Sequence, residues 1–187
     1  AHLVPVGEDQ VPHVELTREV ARKFNNTYGE VFPEPEAMVG EVKRLTGLDG
    51  GAKMSKSLGN TIYLNESTTS LKEKISNMYT DPNRVHVDDL GTVEGNPVFI
   101  YHDAFNPNRD EVLDLKDRYE KGKVGDVEVK EKLFTAVDKF IEPIRERYSR
   151  YENNPQEVKD ILEQGTKKTR AIVKETLLEA KEKMRFL

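Results

Sequence analysis

The sequence contains no cysteine, which excludes disulfides, thiol catalysis and cysteine-based zinc sites and favours a reducing, cytoplasmic setting. No run of about 18 apolar residues occurs to cross a bilayer, and no signal peptide is visible. The four histidines, His2, His13, His86 and His102, have no metal-ligand spacing among themselves or with nearby carboxylates. They read as surface or local hydrogen-bonding side chains, and no protein metal site is expected. No Gly-x-Ser-x-Gly turn is present and nothing links a histidine to a nucleophile, which argues against a serine hydrolase. Internal repeats, low-complexity tracts and blocks of like charge are also missing. What is present is a chain of 187 residues, 36% hydrophobic and 34% charged, long enough for a core in one large domain or one and a half ordinary ones. Its formal net charge of -5 argues against wholesale nucleic-acid coating, but a local patch on an acidic protein can still bind phosphate.

One stretch carries an obvious chemistry. Lys53-Met54-Ser55-Lys56-Ser57 puts two ammonium groups and two hydroxyls on five residues, with Gly50-Gly51 before it and Gly59-Asn60 after it. Glycines on both sides suit a loop rather than the middle of an element. Lysine gives a compact charge on a flexible stem, and hydroxyls and backbone N–H groups add short hydrogen bonds, a set that suits polyphosphate oxygens. The alternative is a solvated basic turn, and the five residues alone do not decide between them.

The order of elements gives that loop a setting. Leu3 to Val6, closed by Gly7, suits a buried parallel strand. Asp9 suits the N-cap of a helix over residues 10 to 27, Pro12 falls in its first turn, and Leu16, Val20 and Phe24 line one face with Val14 and Ala21 nearby. Gly7-Glu8-Asp9-Gln10 then sits at the C-terminal end of a strand and the N-terminus of a helix, where open α/β sheets bind ligands; Asp9 either joins such a site or only caps the helix. Ala37 to Leu45 is a short strand or a helical turn. Thr61 to Leu64 alternates as a strand does, and Ser67 or Thr68 caps a helix to about Tyr79 with Leu71, Ile75 and Met78 inward, stopped by Asp81-Pro82-Asn83.

From Val85 to Pro97 the pattern is irregular, which places a boundary after residue 84. Beyond it the spacing predicts helices: a helix or a buried turn over Val98 to Phe105, and a short helix with Val112, Leu115 and Tyr119. A long helix follows with Leu133, Val137, Phe140, Ile141, Ile144, Tyr148 and Tyr151, in which Pro143 should produce a kink. The last helix runs from Pro155 nearly to the end, with a core stripe of Val158, Ile161, Leu162, Ile172, Val173, Leu177, Ala180 and Met184. Gly165 weakens it by roughly 1 kcal/mol relative to alanine and opens the option of a break. The basic faces, Arg145, Arg147 and Arg150 in one helix and Lys167, Lys168, Arg170 and Lys174 in the next, are either solvated surfaces or contacts to a phosphate backbone.

Val4-Pro-Val-Gly-Glu-Asp-Gln10, followed by His13 and Glu15-Leu-Thr-Arg18, then Lys53-Met-Ser-Lys-Ser57, Met78-Tyr-Thr-Asp-Pro82 and Gly95-Asn-Pro97, together resemble the second half of a bacterial tryptophanyl-tRNA synthetase, a class I aminoacyl-tRNA synthetase. The resemblance extends to Leu187. It implies a mostly α chain: the remnant of a class I Rossmann-like α/β catalytic domain over residues 1–84, with the lysine loop, and a helical anticodon-binding domain over residues 85–187. It also implies ATP, with substrate-borne Mg²⁺, tryptophan and tRNA as partners, and a homodimer for the intact enzyme. Lys53, Ser55 and Lys56 take the catalytic roles by this resemblance. Gly7, Glu8, Asp9, Leu45 and Lys53 to Ser57, including Met54 and Ser57, contact ATP; Val4, Val6 and Gln10 form part of the tryptophan pocket; Arg145, Arg147, Arg150, Tyr148 and Tyr151 are the candidates for tRNA contact.

The chain departs from that pattern in two ways. The first ATP motif of the family, similar to His-Ile-Gly-His, is absent, as is the upstream aspartate that meets the indole N–H. The opening on Ala1 directly before an apolar run adds to the expectation of a C-terminal fragment with negligible amino-acid activation by itself. Two other readings accompany it: a helical tRNA-binding module without catalysis, and another class I synthetase such as the tyrosine-specific relative.

Overall fold

The computed structural model describes residues 1–40, 45–51 and 54–186. Among them six α-helices accompany one two-stranded parallel sheet. The chain divides into two compact units, Ala1–Arg44 with Asn154–Leu187, and Leu45–Asn153.

In the first unit, β1 (Leu3–Val6) pairs in parallel with β2 (Glu36–Val39), Val4 opposite Ala37 and Val6 opposite Val39. Parallel strands need a crossover, and α1 (Val11–Tyr28) supplies it. The stretch from Ala37 thus begins as a strand, and residues 41–44 lie outside the described residues. Asp9 does not cap α1. The chain first winds through a 3-10 turn, Glu8–Gln10, so Gln10 takes the cap position without a side-chain hydrogen bond, and Pro12 falls in the first turn as expected. The buried residues of α1 are Val14 and Ala21, whereas Leu16 and Val20 are exposed, so its inward face is rotated from the one expected.

After Gly29 the return to β2 is tied down by Asn25. Its Oδ1 accepts from the Val31 and Phe32 N–H groups, and its Nδ2 donates to the Phe32 carbonyl. Arg22 adds a two-pronged contact to Glu34, with Nε at 3.1 Å and Nη2 at 2.6 Å. In the same unit α6 (Pro155–Lys183) starts at an Asn154 cap and runs unbroken through Gly165. Its expected core stripe is mostly not core: Ala180 is buried, but Ile161, Leu162, Ile172, Val173 and Leu177 face solvent.

The second unit holds α2 (Thr68–Ser76), α3 (Pro97–Phe105), α4 (Arg109–Glu120) and α5 (Asp126–Glu152). Ser67, Asn96 and Asn108 cap the first three by accepting from backbone N–H groups of the first turn, which satisfies donors that have no intrahelical partner. Thr61 to Leu64 does not form a strand. Among the described residues no neighbouring strand takes up its alternation; instead Tyr63 N–H donates to Glu66 and the Thr61 carbonyl accepts from Lys74. The helix after it ends at Ser76, short of Tyr79, although Met78 is buried as expected. α5 continues through Pro143. Leu71, Ile75, Phe99, Tyr101, Leu115, Leu133, Val137 and Ile141 form one buried cluster, in which α2 and α3 both pack on α5. The packing of α2 on α5 runs across position 84.

Two polar side chains organise this core. Arg84 is 1% exposed at its side chain. It donates to the carbonyls of Asp89, Val87 and Val124, pairs with Asp126, and stacks 4.1 Å above the Tyr119 ring. That one guanidinium shapes the irregular stretch after α2. His102 was expected at the surface or as a local hydrogen-bond partner, and it is the second: fully buried on α3, its Nε2 donates to the Val129 carbonyl at 3.0 Å, leaving Nδ1 to accept from the Asn106 amide at 3.3 Å.

Candidate functional site

The sequence-derived candidates fall into three places, two near the chain's two glycine-flanked motifs and one on α5. In the first unit Val4 and Val6 project from the same side of β1, as the two-residue period of a strand requires, and both are half-buried while Leu3 and Pro5 are exposed. They line a cavity of about 490 Å³ together with Gln10, His13, Phe24 and Phe32. Phe32 meets Phe24 edge-on at 4.8 Å between ring centres. Aliphatic walls, aromatic rings and a few polar groups at the rim suit a flat apolar ligand that carries one polar end. The Gln10 amide donates to Asp9 Oδ2 at 3.2 Å. Gly7, Glu8 and Asp9 lie on the exposed turn between β1 and α1, where the Gly7 carbonyl accepts from Gln10 N–H. Composition alone did not single out His13, Phe24 or Phe32 as cavity residues; the period of α1 and the Asn25 clamp bring them to it.

The second place is the lysine loop. Lys53 lies outside the described residues. Met54 is half-buried and packs on the core of the second unit, as does Leu45. Ser55 is extended, Lys56–Leu58 makes a single 3-10 turn, and Gly59 closes it at φ 68°, a left-handed angle that glycine adopts without strain. The Ser55 and Ser57 hydroxyls are 2.9 Å apart. Lys56 is exposed and makes no ion pair among the described residues. An exposed ammonium beside two hydroxyls and the Lys56 and Ser57 N–H groups gathers donors on one short turn, an arrangement that suits a polyphosphate.

The base of this loop is tied by hydrogen bonds. Asn60, 6% exposed, accepts from Ser55 N–H through Oδ1 at 2.8 Å and donates through Nδ2 to Asp49 Oδ1 at 3.0 Å. Asp49 Oδ1 also accepts from Gly51 N–H at 3.0 Å. The Asn60 amide, with that N–H group next in importance, holds the Asp49 carboxyl below its ordinary range. Leu48 bridges backward and forward: its N–H donates to the Asn60 carbonyl and its carbonyl accepts from Tyr79 N–H at 2.7 Å. Gly50, at φ 80°, lies against the Tyr79 ring so closely that a Cβ there would sit 2.7 Å from it. Lys130 of α5 fixes the same stretch from below, its ammonium donating to the carbonyls of Met78 and Ser76 and to the Thr80 hydroxyl. Burial there pushes the Lys130 pKa down. Asp49, Asn60 and Lys130 escaped the sequence reading; a buried amide beside Gly59 has no signature in a pattern of polarity.

The tRNA candidates lie on the C-terminal half of α5. Arg145 spends its guanidinium inside the protein, donating to the Glu66 carbonyl at 2.8 Å, Thr68 Oγ1 at 2.9 Å and Asp138 at 2.7 Å. Arg147 donates to the Pro143 carbonyl of its own helix. Tyr148 and Tyr151 are exposed, and Arg150 stacks 5.3 Å from the centre of the Tyr151 ring.

Comparisons with known proteins show what the chain is similar to. The family model described as tRNA synthetases class I (W and Y) matches residues 1–142. A tryptophan–tRNA ligase of Treponema pallidum is 53% identical over 184 residues, spanning 98% of this chain and 55% of that protein. One from Borreliella burgdorferi is 50% identical over 97% of this chain and 52% of that protein. Among solved structures, tryptophanyl-tRNA synthetase from Campylobacter jejuni complexed with ADP and tryptophan superposes with a TM-score of 0.74 at 37% identity, covering 98% of this chain and 57% of its own. The chain therefore spans about half the length of the curated relatives it matches, and with the family model covering three quarters of it, it belongs to the class I tRNA synthetases of the tryptophan and tyrosine group.

Proposed function

We propose that this chain carries the pyrophosphate-side loop and one wall of the amino-acid pocket of a tryptophan–tRNA ligase. The observation that carries the reading is the lysine loop: an exposed Lys56 and two hydroxyls on a turn whose base is held by a hydrogen bond to the buried Asn60. The high identity to tryptophan–tRNA ligases supports tryptophan over tyrosine, and the Campylobacter relative was solved with ADP and tryptophan.

In activation, the tryptophan carboxylate attacks the α-phosphorus of ATP and pyrophosphate departs. No protein nucleophile is required, so positioning and charge stabilisation supply the catalysis. Lys56, with Lys53, meets the negative charge that collects on the leaving pyrophosphate, alongside a substrate-borne Mg²⁺. The Ser55 and Ser57 hydroxyls and the Lys56 and Ser57 N–H groups hold phosphate oxygens, and Met54 anchors the loop in the core. Leu45 borders the adenine, Gly7, Glu8 and Asp9 lie against the nucleoside, and Val4, Val6 and Gln10 receive the tryptophan. The functional division falls near residue 84, with tRNA contact beyond it on Tyr148, Tyr151 and Arg150, whose aromatic faces and cation suit splayed anticodon bases. Arg147 adds charge to that surface, while Arg145, the remaining candidate, gives its guanidinium to the Glu66 carbonyl, Thr68 and Asp138. In the cell the ligase works in the cytoplasm, as a homodimer.

Calorimetric titration of this chain with magnesium pyrophosphate tests the reading. Loss of charge-assisted hydrogen bonds costs about 1.5–3 kcal/mol, so Lys56→Ala should weaken binding roughly 10- to 100-fold. Equal affinity in the variant, or no binding by the parent chain, would overturn it. A gel shift with tryptophan tRNA over a salt series checks the second part, where Arg150→Glu should abolish the shifted band.

A further inference from the structure

We infer that Asn60 is the positioning residue of the lysine loop, acting through a clasp with Asp49. The inference rests on the pyrophosphate role proposed for Lys56, but it concerns a residue that acts on the loop's backbone.

Asn60 works in both directions at once. Its Oδ1 takes the Ser55 N–H at 2.8 Å, which pins the start of the 3-10 turn carrying Lys56, and its Nδ2 reaches Asp49 Oδ1 at 3.0 Å. The Ser55 carbonyl then accepts from Leu58 N–H and the Lys56 carbonyl from Gly59 N–H, so the turn closes within the span that Asn60 fixes. An amide is the side-chain group that accepts and donates in one plane, and a carboxylate at position 60 could make only the first of these bonds. The far side of the clasp is closely packed. A Cβ on Gly47 would run into the Asn60 amide and stand 2.5 Å from Asp49 Oδ1. Leu48, between them, is bonded on one side to the Asn60 carbonyl and on the other to Tyr79 N–H, in the stretch whose carbonyls Lys130 holds.

The chemical consequence is preorganisation. Lys56 has a long flexible stem, and the electrostatic benefit of its charge depends on where its Cα is held before the phosphate arrives. A clasp that fixes the neighbouring Ser55 backbone reduces the ordering cost that ligand binding would otherwise bear. Asn60 is buried, and its contacts to the Ser55 N–H and to the Asp49 carboxylate suit it to place Lys56 and the two serines.

Charge exchange across the clasp separates this role from simple structural support. Asn60→Asp puts two carboxylates in contact and should weaken magnesium pyrophosphate binding at least tenfold. Adding Asp49→Asn restores a donor opposite an acceptor, and the double variant should recover to within threefold of the parent chain. Amide hydrogen exchange gives a readout that needs no ligand. The Ser55 N–H should be protected at least tenfold in the parent, lose that protection in Asn60→Ala, and regain it in the charge-exchanged pair, while the Tyr79 N–H stays protected throughout. If Lys56→Ala loses pyrophosphate while Asn60→Asp binds like the parent, the clasp has no positioning role and the function of Lys56 stands. If the parent binds no pyrophosphate, that function fails, and the exchange data still decide the clasp. A Ser55 N–H that exchanges freely in the parent would overturn the inference outright.

Discussion

In the second unit the apolar stripes of α2, α3, α4 and α5 close upon one another, whereas in the first unit those of α1 and α6 stay largely open. Leu133 on α5 is 0% exposed and Ile172 on α6 is 65% exposed, although both sit at helical spacing among other apolar residues. The contrast shows that a stripe states a capacity for burial and leaves the partner unnamed. It also separates the two candidate sites. The lysine loop stands on a closed core, through Met54 and the Lys130 contacts, and can be held to a narrow geometry. The cavity of Val4 and Val6 is a trough between a two-stranded sheet and one face of α1, and its Phe32 wall is held by the Asn25 side chain.

Truncation in the closed core should show the largest effect. Leu133→Ala should cost about 2–5 kcal/mol of unfolding free energy, read from urea denaturation followed by circular dichroism. A loss under about 1 kcal/mol would mean that the second unit is as loosely filled as the first. The acid response comes next. Burial lowers the His102 pKa from its ordinary value of 6.5, and a proton on Nδ1 would face the Asn106 amide. An unfolded chain binds that proton more readily, so the contribution is complete above about pH 6.5 and falls as pH drops below it. Melting temperatures between pH 7.5 and 5.5 should decline in the parent and flatten in His102→Gln, whose amide can donate to Val129 and accept from Asn106. An unchanged slope would place the acid sensitivity elsewhere.

Smaller effects are expected in the open unit. Gly165 sits in mid-helix with nothing near the position of a Cβ, so Gly165→Ala should stabilise α6 by about 1 kcal/mol, seen as slower amide exchange along that helix. The smallest belongs to Ile172→Ala, within about 0.5 kcal/mol of the parent. A cost comparable to that of Leu133→Ala would erase the distinction between the two units and show that the α6 stripe is covered in solution.

Much of the chain was legible from local chemistry. Pro12 and Ser67 mark helix starts because the first turn has donors without partners and tolerates a missing N–H. Pro5 did not prevent β1, and Gly165 did not break α6. Where the reading failed, distant groups had decided. Thr61 to Leu64 alternates, but alternation becomes a strand only beside another strand. Asp9 suits a cap, but the 3-10 turn before α1 moved the start of the helix past it. Arg145 has the composition of a phosphate contact, and tertiary packing instead turns its donors toward α2 and Asp138.

The lysine loop shows the same limit at closer range. Its residue types, two ammonium groups and two hydroxyls between glycines, were determined by the sequence and pointed to phosphate chemistry before any coordinates. So was the strand–turn–helix around Gly7, because strand period, glycine and proline act over a few residues. Tertiary structure alone decided what holds the loop: the Asn60 amide between Ser55 and Asp49, and a lysine some seventy residues away beneath Met78. It also decided which stripes became core. Hydrogen bonds and burial between remote segments depend on how the elements meet, and no local periodicity encodes that meeting.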